Sequence, residues 1–314
     1  MSPSRRHPVI ALALVIALLV TGGCGSSNPL GGAPASADLK SVIVGSADFP
    51  ESKIVAEIYA QALEANEFTV VRKLGIGSRE TYIPALLDRS IDLVPEYTGN
   101  LLQYFEPDST ETIPDQVELA LSRALPGDLS ILTPAPANDT DTVTVTEATA
   151  RKWKLTTIAD LAPYSAEVKF GAPSEFLRRA VGLAGLKTKY GLNIPAANFV
   201  AISDGGGPAT VRSLLDGTVN AANIFSTSPA IPKNKLVVLS DPRNNFLPGN
   251  VVPLISSQKK SGPLKAVLDA VSAKLTTKGL TELNTAVSGN SGVDPDEAAQ
   301  TWVRDNGFDQ PIGK

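Results

Sequence analysis

The chain has 314 residues, of which 43% are hydrophobic and 19% charged, and its formal net charge is −4. The one cysteine, Cys24, and the one histidine, His7, both lie near the N-terminus. If that segment is a targeting signal, the rest of the chain has no histidine and no usable disulfide, which excludes a catalytic triad with histidine, a histidine-ligated zinc site and an iron–sulfur cluster. The composition therefore argues against most hydrolases and metalloenzymes. We expect a protein that is not an enzyme and binds neither cofactor nor metal.

The N-terminal segment has the pattern of a bacterial secretion signal. Arg5 and Arg6 precede twelve consecutive apolar residues, 9–20, a run too short to span a bilayer as a helix. Small residues then lead to Cys24, a pattern that resembles a lipoprotein signal. We therefore expect a signal peptide at 1–23, a lipid on Cys24, and a flexible tether at 24–39 that holds the protein on the extracytoplasmic face of the cell membrane.

The charge of the mature chain argues against a nucleic-acid partner. Removal of residues 1–23 takes away two arginines and no acidic residue, which leaves 26 basic against 32 acidic residues and a net charge of −6. A protein that binds nucleic acid needs a basic surface to neutralise phosphates. We expect none here.

Short β-branched runs alternate with segments of helical periodicity along the rest of the chain. The first part predicts strands at 41–45, 69–73 and 91–95 and helices at 51–66 and 78–89. The second part predicts strands at 142–146, 168–171, 199–202, 221–225 and 236–239 and helices at 157–161, 174–186, 209–215, 263–287 and 294–306. This alternation over short loops predicts an α/β fold with parallel, doubly wound sheets, in two lobes separated by a cleft.

Several of these segments, in this order and spacing, resemble those of a known family. The most specific is Pro-Glu-Tyr-Thr-Gly at 95–99, which follows directly from a predicted strand. The others are 44–51, 57–64, 77–80, 138–140, 157–161, 171–176 and 225–227. Together they resemble the substrate-binding lipoproteins of osmoprotectant ABC transporters, which import glycine betaine, choline and carnitine. The resemblance extends from about Ser41 to the C-terminus.

This resemblance implies a periplasmic-binding-protein-like fold of type II, in which a hinge cleft closes around a small-molecule ligand. It implies one lobe at 40–141 plus 249–314 and the other at 142–248, joined by crossovers near Thr140 and Pro248. The ligand would then pass to the transmembrane subunits of an ABC permease. We expect a monomer that carries out no covalent chemistry.

In members of the family that bind betaines, a cage of tyrosines holds the quaternary ammonium group and basic or hydroxyl side chains bind the carboxylate. Tyr97, Thr98 and Arg179 match family positions, and Arg179 is the expected partner of a ligand carboxylate. Further polar side chains are expected to line the cleft: Ser46, Asp48, Ser78, Asn138, Asp141, Ser226, Thr227 and Asn250.

The sequence departs from the family at several cage positions. Asp141, Val211 and Gly249 stand where aromatic residues are expected, and Ala47 and Val181 replace polar residues. Two ligand classes therefore stay open. The family implies a quaternary amine, and Asp141 would suit a cation without a carboxylate, such as choline. The polar lining would also suit a neutral hydroxyl-rich or aromatic ligand, such as a polyol, a sugar or a phenolic compound.

Overall fold

The computed structural model describes residues 38–289 and 292–313. The expected signal peptide, Cys24 and all but the last two residues of the expected tether lie outside this range. Within it, no helix has the length and apolar character needed to cross a bilayer.

Ten strands and eleven α-helices form the described part of the chain. The strands are β1 (Ser41–Gly45), β2 (Thr69–Lys73), β3 (Leu93–Tyr97), β4 (Leu129–Ile131), β5 (Asp141–Thr146), β6 (Phe170–Ala172), β7 (Phe199–Ala201), β8 (Ala221–Phe225), β9 (Leu236–Leu239) and β10 (Val251–Ser256). The helices are α1 (Pro50–Ala65), α2 (Arg79–Leu87), α3 (Thr98–Phe105), α4 (Pro114–Ala124), α5 (Glu147–Trp153), α6 (Gly185–Tyr190), α7 (Pro208–Leu215), α8 (Ala230–Lys233), α9 (Gly262–Lys274), α10 (Thr277–Ala286) and α11 (Pro295–Asp305). Four of these helices, α1, α4, α7 and α11, begin with proline, whose fixed φ suits a first helical residue.

The first lobe is the sheet β2-β1-β3-β10-β4 with the helices packed on it. β1 pairs in parallel with β2 and β3, whereas β10 is antiparallel to β3 and β4. Val42 and Val44 of β1 join the apolar cluster formed with α1, α9, α10 and α11, while Ile43 packs with the cluster of α2, α3 and α4. This alternation buries both faces of the sheet.

The second lobe is the sheet β7-β6-β8-β5-β9 with its helices. β6 is parallel to β7 and β8, and β5 is antiparallel to β8 and β9. This arrangement repeats that of the first sheet, with β5 in the position of β10. Its core contains Phe170 and Phe176, whose ring centroids are 5.4 Å apart.

Two crossover segments connect the lobes, one between β4 and β5 and the other between β9 and β10. They run side by side: Asn138 and Asn250 form an antiparallel bridge, and the Asp139 N–H donates to the Gly249 carbonyl at 2.9 Å. The exact division of the chain into lobes, at 141/142 and 248/249, stays a prediction.

The expectation of purely parallel sheets is wrong. β5 and β10 each follow a crossover segment, so each strand begins at the cleft and runs away from it. Their neighbours β8 and β3 end at the cleft, and the pairs are therefore antiparallel.

The helix predicted at 174–186 is interrupted. A 3₁₀ turn (Ser174–Leu177) is followed by a short segment, Ala180–Ala184, that is kinked at Gly182. The backbone angles of Gly182 are non-helical, and this residue lies against the Phe176 carbonyl. The short helix predicted at 157–161 is a 3₁₀ helix, Ile158–Tyr164.

The close contact between the crossovers predicts a cost for any side chain at position 249. A Cβ atom on Gly249 would overlap the Asp139 carbonyl oxygen. Because the two backbones cannot separate without losing their hydrogen bond, we expect Gly249→Ala to lower the free energy of unfolding by about 1–3 kcal/mol in urea denaturation. Gly127→Ala is the matched control, since no heavy atom lies within 4 Å of its Cβ position. Equal stability of the two variants would contradict the prediction.

Candidate ligand-binding site

A cavity of about 250 Å³ lies between the two lobes. The first lobe contributes residues that follow β1, residues at the start of α2, and residues at the junction of β3 and α3. The second lobe contributes the start of β5 and residues at or after the C-terminal ends of β6, β7 and β8. In α/β folds, ligands bind at the carboxyl ends of the strands. The cavity is therefore the candidate ligand site.

Aromatic rings from both lobes form part of the cavity wall. The ring centroid of Phe49, from the first lobe, lies 6.2 Å from that of Tyr97 and 5.3 Å from that of Phe225, which belongs to the second lobe. Phe176 lines the cavity as well. Ring faces attract a cation through their quadrupole, and they do so for a methylated ammonium that cannot donate a hydrogen bond.

Asp141, at the start of β5, adds a carboxylate to this wall. Its side chain accepts hydrogen bonds from the amides of Asn100 at 2.5 Å and Asn223 at 2.9 Å. No lysine or arginine pairs with Asp141 among residues 38–289 and 292–313. The two amides fix the carboxylate without neutralising its charge.

The buried side chain of Glu51 ties together distant parts of the chain at the hinge. The Tyr97 hydroxyl donates to Oε1 at 2.7 Å, and the hydroxyl of Thr227, just after β8, donates to Oε2 at 2.6 Å. The side-chain amide of Asn284 in α10 also donates to Oε2. A buried carboxyl group is stable only with such donors. Glu51 thus links α1, β3, α10 and the second lobe.

A second buried acid, Asp139, lies beside Glu51 in the crossover before β5. Its Oδ1 atom accepts hydrogen bonds from the Ser226 hydroxyl and the Thr227 N–H, both at 3.0 Å. Thr227 joins the two acids, since its N–H donates to Asp139 and its hydroxyl donates to Glu51 at 2.6 Å. Two carboxyl groups buried this close to each other disfavour ionisation of both.

The environment raises the pKa of both acids. Burial raises the pKa of Glu51, and hydrogen bonds from its three neighbours offset part of that rise. Burial, followed by the charge of Glu51, raises the pKa of Asp139 well above its usual value. The hinge therefore holds a proton at pH values at which exposed carboxyl groups are ionised.

Arg79 in α2 lies at the cavity but is already paired. Its Nε and Nη2 atoms donate to the two carboxylate oxygens of Glu96 at 2.7 and 2.8 Å, and both side chains are buried. The Tyr82 hydroxyl also donates to Glu96. Burial acts to lower the pKa of Arg79, but the charge of Glu96 outweighs it and the pKa is raised. Arg79 therefore remains charged and bound to its own counter-ion.

Five of the residues predicted from the sequence line the cavity: Asp48, Ser78, Tyr97, Asp141 and Arg179. The guanidinium of Arg179, expected to meet a ligand carboxylate, forms an ion pair with Glu80. Within the described chain, no group of acidic, histidine or cysteine side chains is arranged to hold a metal ion.

The structure does not bring the other six predicted residues to the cavity wall. Their side chains are used in the hinge or beneath the cavity. The Thr98 hydroxyl donates to the Pro248 carbonyl at 3.2 Å and accepts from the Asn250 N–H at 3.1 Å, and Ser226 donates to Asp139. The six are Ser46, Thr98, Asn138, Ser226, Thr227 and Asn250.

The wall also contains residues that were not predicted from the sequence, among them Phe49, Phe176, Phe225, Asn100 and Asn223. Phe49 and Phe225 lie close to the C-terminal ends of predicted strands, and this position could have identified them as candidate cavity residues. Val211 and Gly249, where the family has aromatic residues, lie outside this wall. Apart from Tyr97, the aromatic rings of the cavity therefore come from sequence positions other than those aligned with the family's cage residues.

The comparisons with known proteins establish the family. A profile described as the substrate binding domain of ABC-type glycine betaine transport systems matches residues 40–305. The chain belongs to this family. It is 30% identical over 281 residues to the glycine betaine-binding protein YehZ of Escherichia coli K12, covering 85% of this chain and 91% of that protein. The resemblance inferred from the motifs is confirmed.

One further relative and one solved structure are similar to this chain. The ergothioneine transport permease/ergothioneine binding protein EgtU of Helicobacter pylori is 27% identical over 255 residues, which are 78% of this chain and 44% of that protein. A crystal structure of a glycine betaine/carnitine/choline ABC transporter protein has a TM-score of 0.65 at 21% identity and covers 86% of this chain and all of that one. The predicted two-lobed, periplasmic-binding-protein-like α/β fold is confirmed.

The hinge acids predict a pH dependence of stability. Because each pKa is higher in the folded protein than in the unfolded chain, the folded protein retains protons above about pH 4 that the unfolded chain has lost. The contribution of the pair to the free energy of unfolding is complete below about pH 4 and decreases as the pH rises through the raised pKa values.

Asp139→Asn removes one of the two charges while keeping an acceptor oxygen. We expect the stability of this variant relative to the wild type to increase with pH above about 4, by about 1.4 kcal/mol for each pH unit over which the wild type retains the extra proton. Urea denaturation at a series of pH values measures this difference, with the exposed Asp309→Asn as control. A difference that stays constant with pH would refute the raised pKa of Asp139 in the folded protein.

Proposed function

We propose that this protein is the extracytoplasmic solute-binding component of an ABC importer and captures a quaternary ammonium compound, such as glycine betaine, choline or a related compatible solute. The two lobes close around the ligand and present it to the permease, without covalent chemistry.

The observation that carries this proposal is the cavity wall, which combines aromatic rings with one unneutralised carboxylate. Phe49 and Tyr97 approach from one lobe and Phe225 from the other, with Asp141 beside them. Rings attract the methylated cation, and the carboxylate offsets its charge in a partly desolvated cleft. The glycine betaine named for the YehZ relative and the family description both support a ligand of this class.

The proposal extends to partners and location. The ligand passes to the transmembrane subunits of the permease, and the H. pylori relative is named as both permease and binding protein. We also propose that the protein acts as a monomer held on the outer face of the cell membrane by a lipid on Cys24. The proposed lobes are 40–141 with 249–314 and 142–248.

A thermal-shift screen of the purified protein tests the ligand class. The panel contains choline, glycine betaine, carnitine, tetramethylammonium, ergothioneine, sorbitol, glucose and a simple phenol. A ligand at 100 times its dissociation constant adds about 2.7 kcal/mol to the free energy of unfolding. Stabilisation by the quaternary amines supports the proposal. Stabilisation by the polyol, sugar or phenol alone would refute it and favour the neutral-ligand alternative.

Truncation of a cavity ring is expected to weaken ligand binding. Because a cation–π contact contributes about 0.5–2 kcal/mol, Phe225→Ala should raise the dissociation constant of the stabilising quaternary amine by about two- to thirtyfold in isothermal titration calorimetry. Phe199→Ala is the control, since Phe199 lies on β7 of the same lobe but not at the cavity. Equal affinities of the two variants would place the ligand elsewhere.

The proposed anchor predicts where the protein is found after cell fractionation. Cys24→Ala removes the thiol that would carry the lipid, so we expect the protein to move from the membrane fraction to the soluble fraction. Ser26→Ala, two residues further along the chain, should remain with the membranes. A Cys24→Ala protein that also remains there would contradict a lipid anchor at this residue.

A further inference from the structure

Arg179 and Glu80 form an ion pair that crosses the cleft at the edge of the cavity. Nε of Arg179 donates to Oε1 of Glu80 and Nη2 to Oε2, both at 3.0 Å, which is the two-bond geometry by which an arginine binds a carboxylate. Arg179 belongs to the second lobe and Glu80 to α2 of the first. Among the ion pairs of the described residues, only this one joins the two lobes.

The protein thus supplies its own counter-ion to Arg179 in this structure. Partial burial acts to raise the pKa of Glu80, but hydrogen bonds from Arg179 and Ser78 and the charge of Arg179 outweigh it and lower the pKa to about 2. Glu80 is therefore ionised at neutral pH. It occupies the fork of Arg179 in the manner expected for a ligand carboxylate.

The other charged side chains at the cavity also leave no arginine free for a ligand carboxylate. Arg79 is neutralised by Glu96 in a second two-bond contact. Asp141 and Glu175 also line the cavity, and neither has a cationic partner in the part of the chain that the structure describes. Each cavity arginine is balanced by a glutamate of the chain, and the charge left over is negative.

We propose that Glu80 is a specificity-determining residue: it occupies Arg179 in place of a ligand carboxylate, so the site favours quaternary ammonium cations with an uncharged remainder over zwitterions. This inference rests on the proposed function and narrows it to choline-type compounds. A zwitterionic ligand has to displace Glu80 from Arg179, and its carboxylate then lies in a cleft that already contains the charges of Glu80 and Asp141. Like charges in a partly desolvated site repel each other strongly.

Choline and glycine betaine provide the test, because both carry a trimethylammonium group and differ in whether the chain ends in a hydroxymethyl group or a carboxylate. Isothermal titration calorimetry gives the dissociation constant of each. In the wild type, we expect choline to bind at least about tenfold more tightly than glycine betaine. The ratio of the two constants isolates the effect of the carboxylate, since a change in lobe closure affects both ligands alike.

Glu80→Gln keeps the shape of the side chain and removes its charge. We expect this variant to bind glycine betaine about tenfold better relative to choline, because Arg179 becomes free to receive the ligand carboxylate. The double variant with Arg179→Met should lose that gain. Glu147→Gln is the matched control, since it disrupts an exposed glutamate–arginine pair, with Arg151, outside the cleft. Its ratio should equal that of the wild type.

Two outcomes would overturn the inference and leave the proposed function intact. One is a wild type that binds glycine betaine as tightly as choline. The other is a Glu80→Gln variant whose ratio equals that of the wild type. If choline, glycine betaine and tetramethylammonium all fail to bind, the proposed function itself fails and the inference fails with it.

Discussion

The buried carboxyl of Glu51 is the constraint on which the hinge and the cavity both depend. Its oxygens accept hydrogen bonds from β3, α10 and the turn after β8, segments that are far apart in sequence. Loss of any one donor would leave a buried polar group partly unsatisfied, at a cost of about 1–3 kcal/mol. The lobes are therefore held at this point by a satisfied polar network, to which Asp139 adds a second buried acid and a link to the crossover.

This network also places the aromatic wall. The Tyr97 hydroxyl is committed to Glu51, so the polar end of the side chain points to the hinge while its ring lines the cavity. Phe225 directly precedes Ser226 and Thr227, whose hydroxyls bind the two hinge acids. A movement of the second lobe about the hinge therefore carries the Phe225 ring with it. The hydrogen bonds of the hinge therefore also position the aromatic rings of the cavity.

The sequence predicted the alternation of strands and helices because buried β-branched runs and helical periodicity are local signals. β10 was not predicted, although its apolar run, like that of the predicted strand β3, contains a proline. Its antiparallel pairing with β3 and β4 depends on residues distant in sequence. The site was predicted less well. Spacing places a polar residue at a strand end but does not show whether its side chain faces the cavity, as Asp141 does, or the neighbouring backbone, as Thr98 does. Such directions depend on contacts between residues distant in sequence.

The charges at the cleft bear on the proposed closure of the lobes around a ligand. The side chains of Arg179 and Glu80 are 26% and 41% exposed, so solvent screens their attraction, and such a pair contributes up to about 1 kcal/mol. That is too little to hold two lobes together by itself. A cation that contacts Phe49 on one lobe and Phe225 on the other adds attraction only when the lobes are close. A ligand shifts an equilibrium by its difference in affinity between two states, so these contacts, which require both lobes, would favour the closed state in the proposed function.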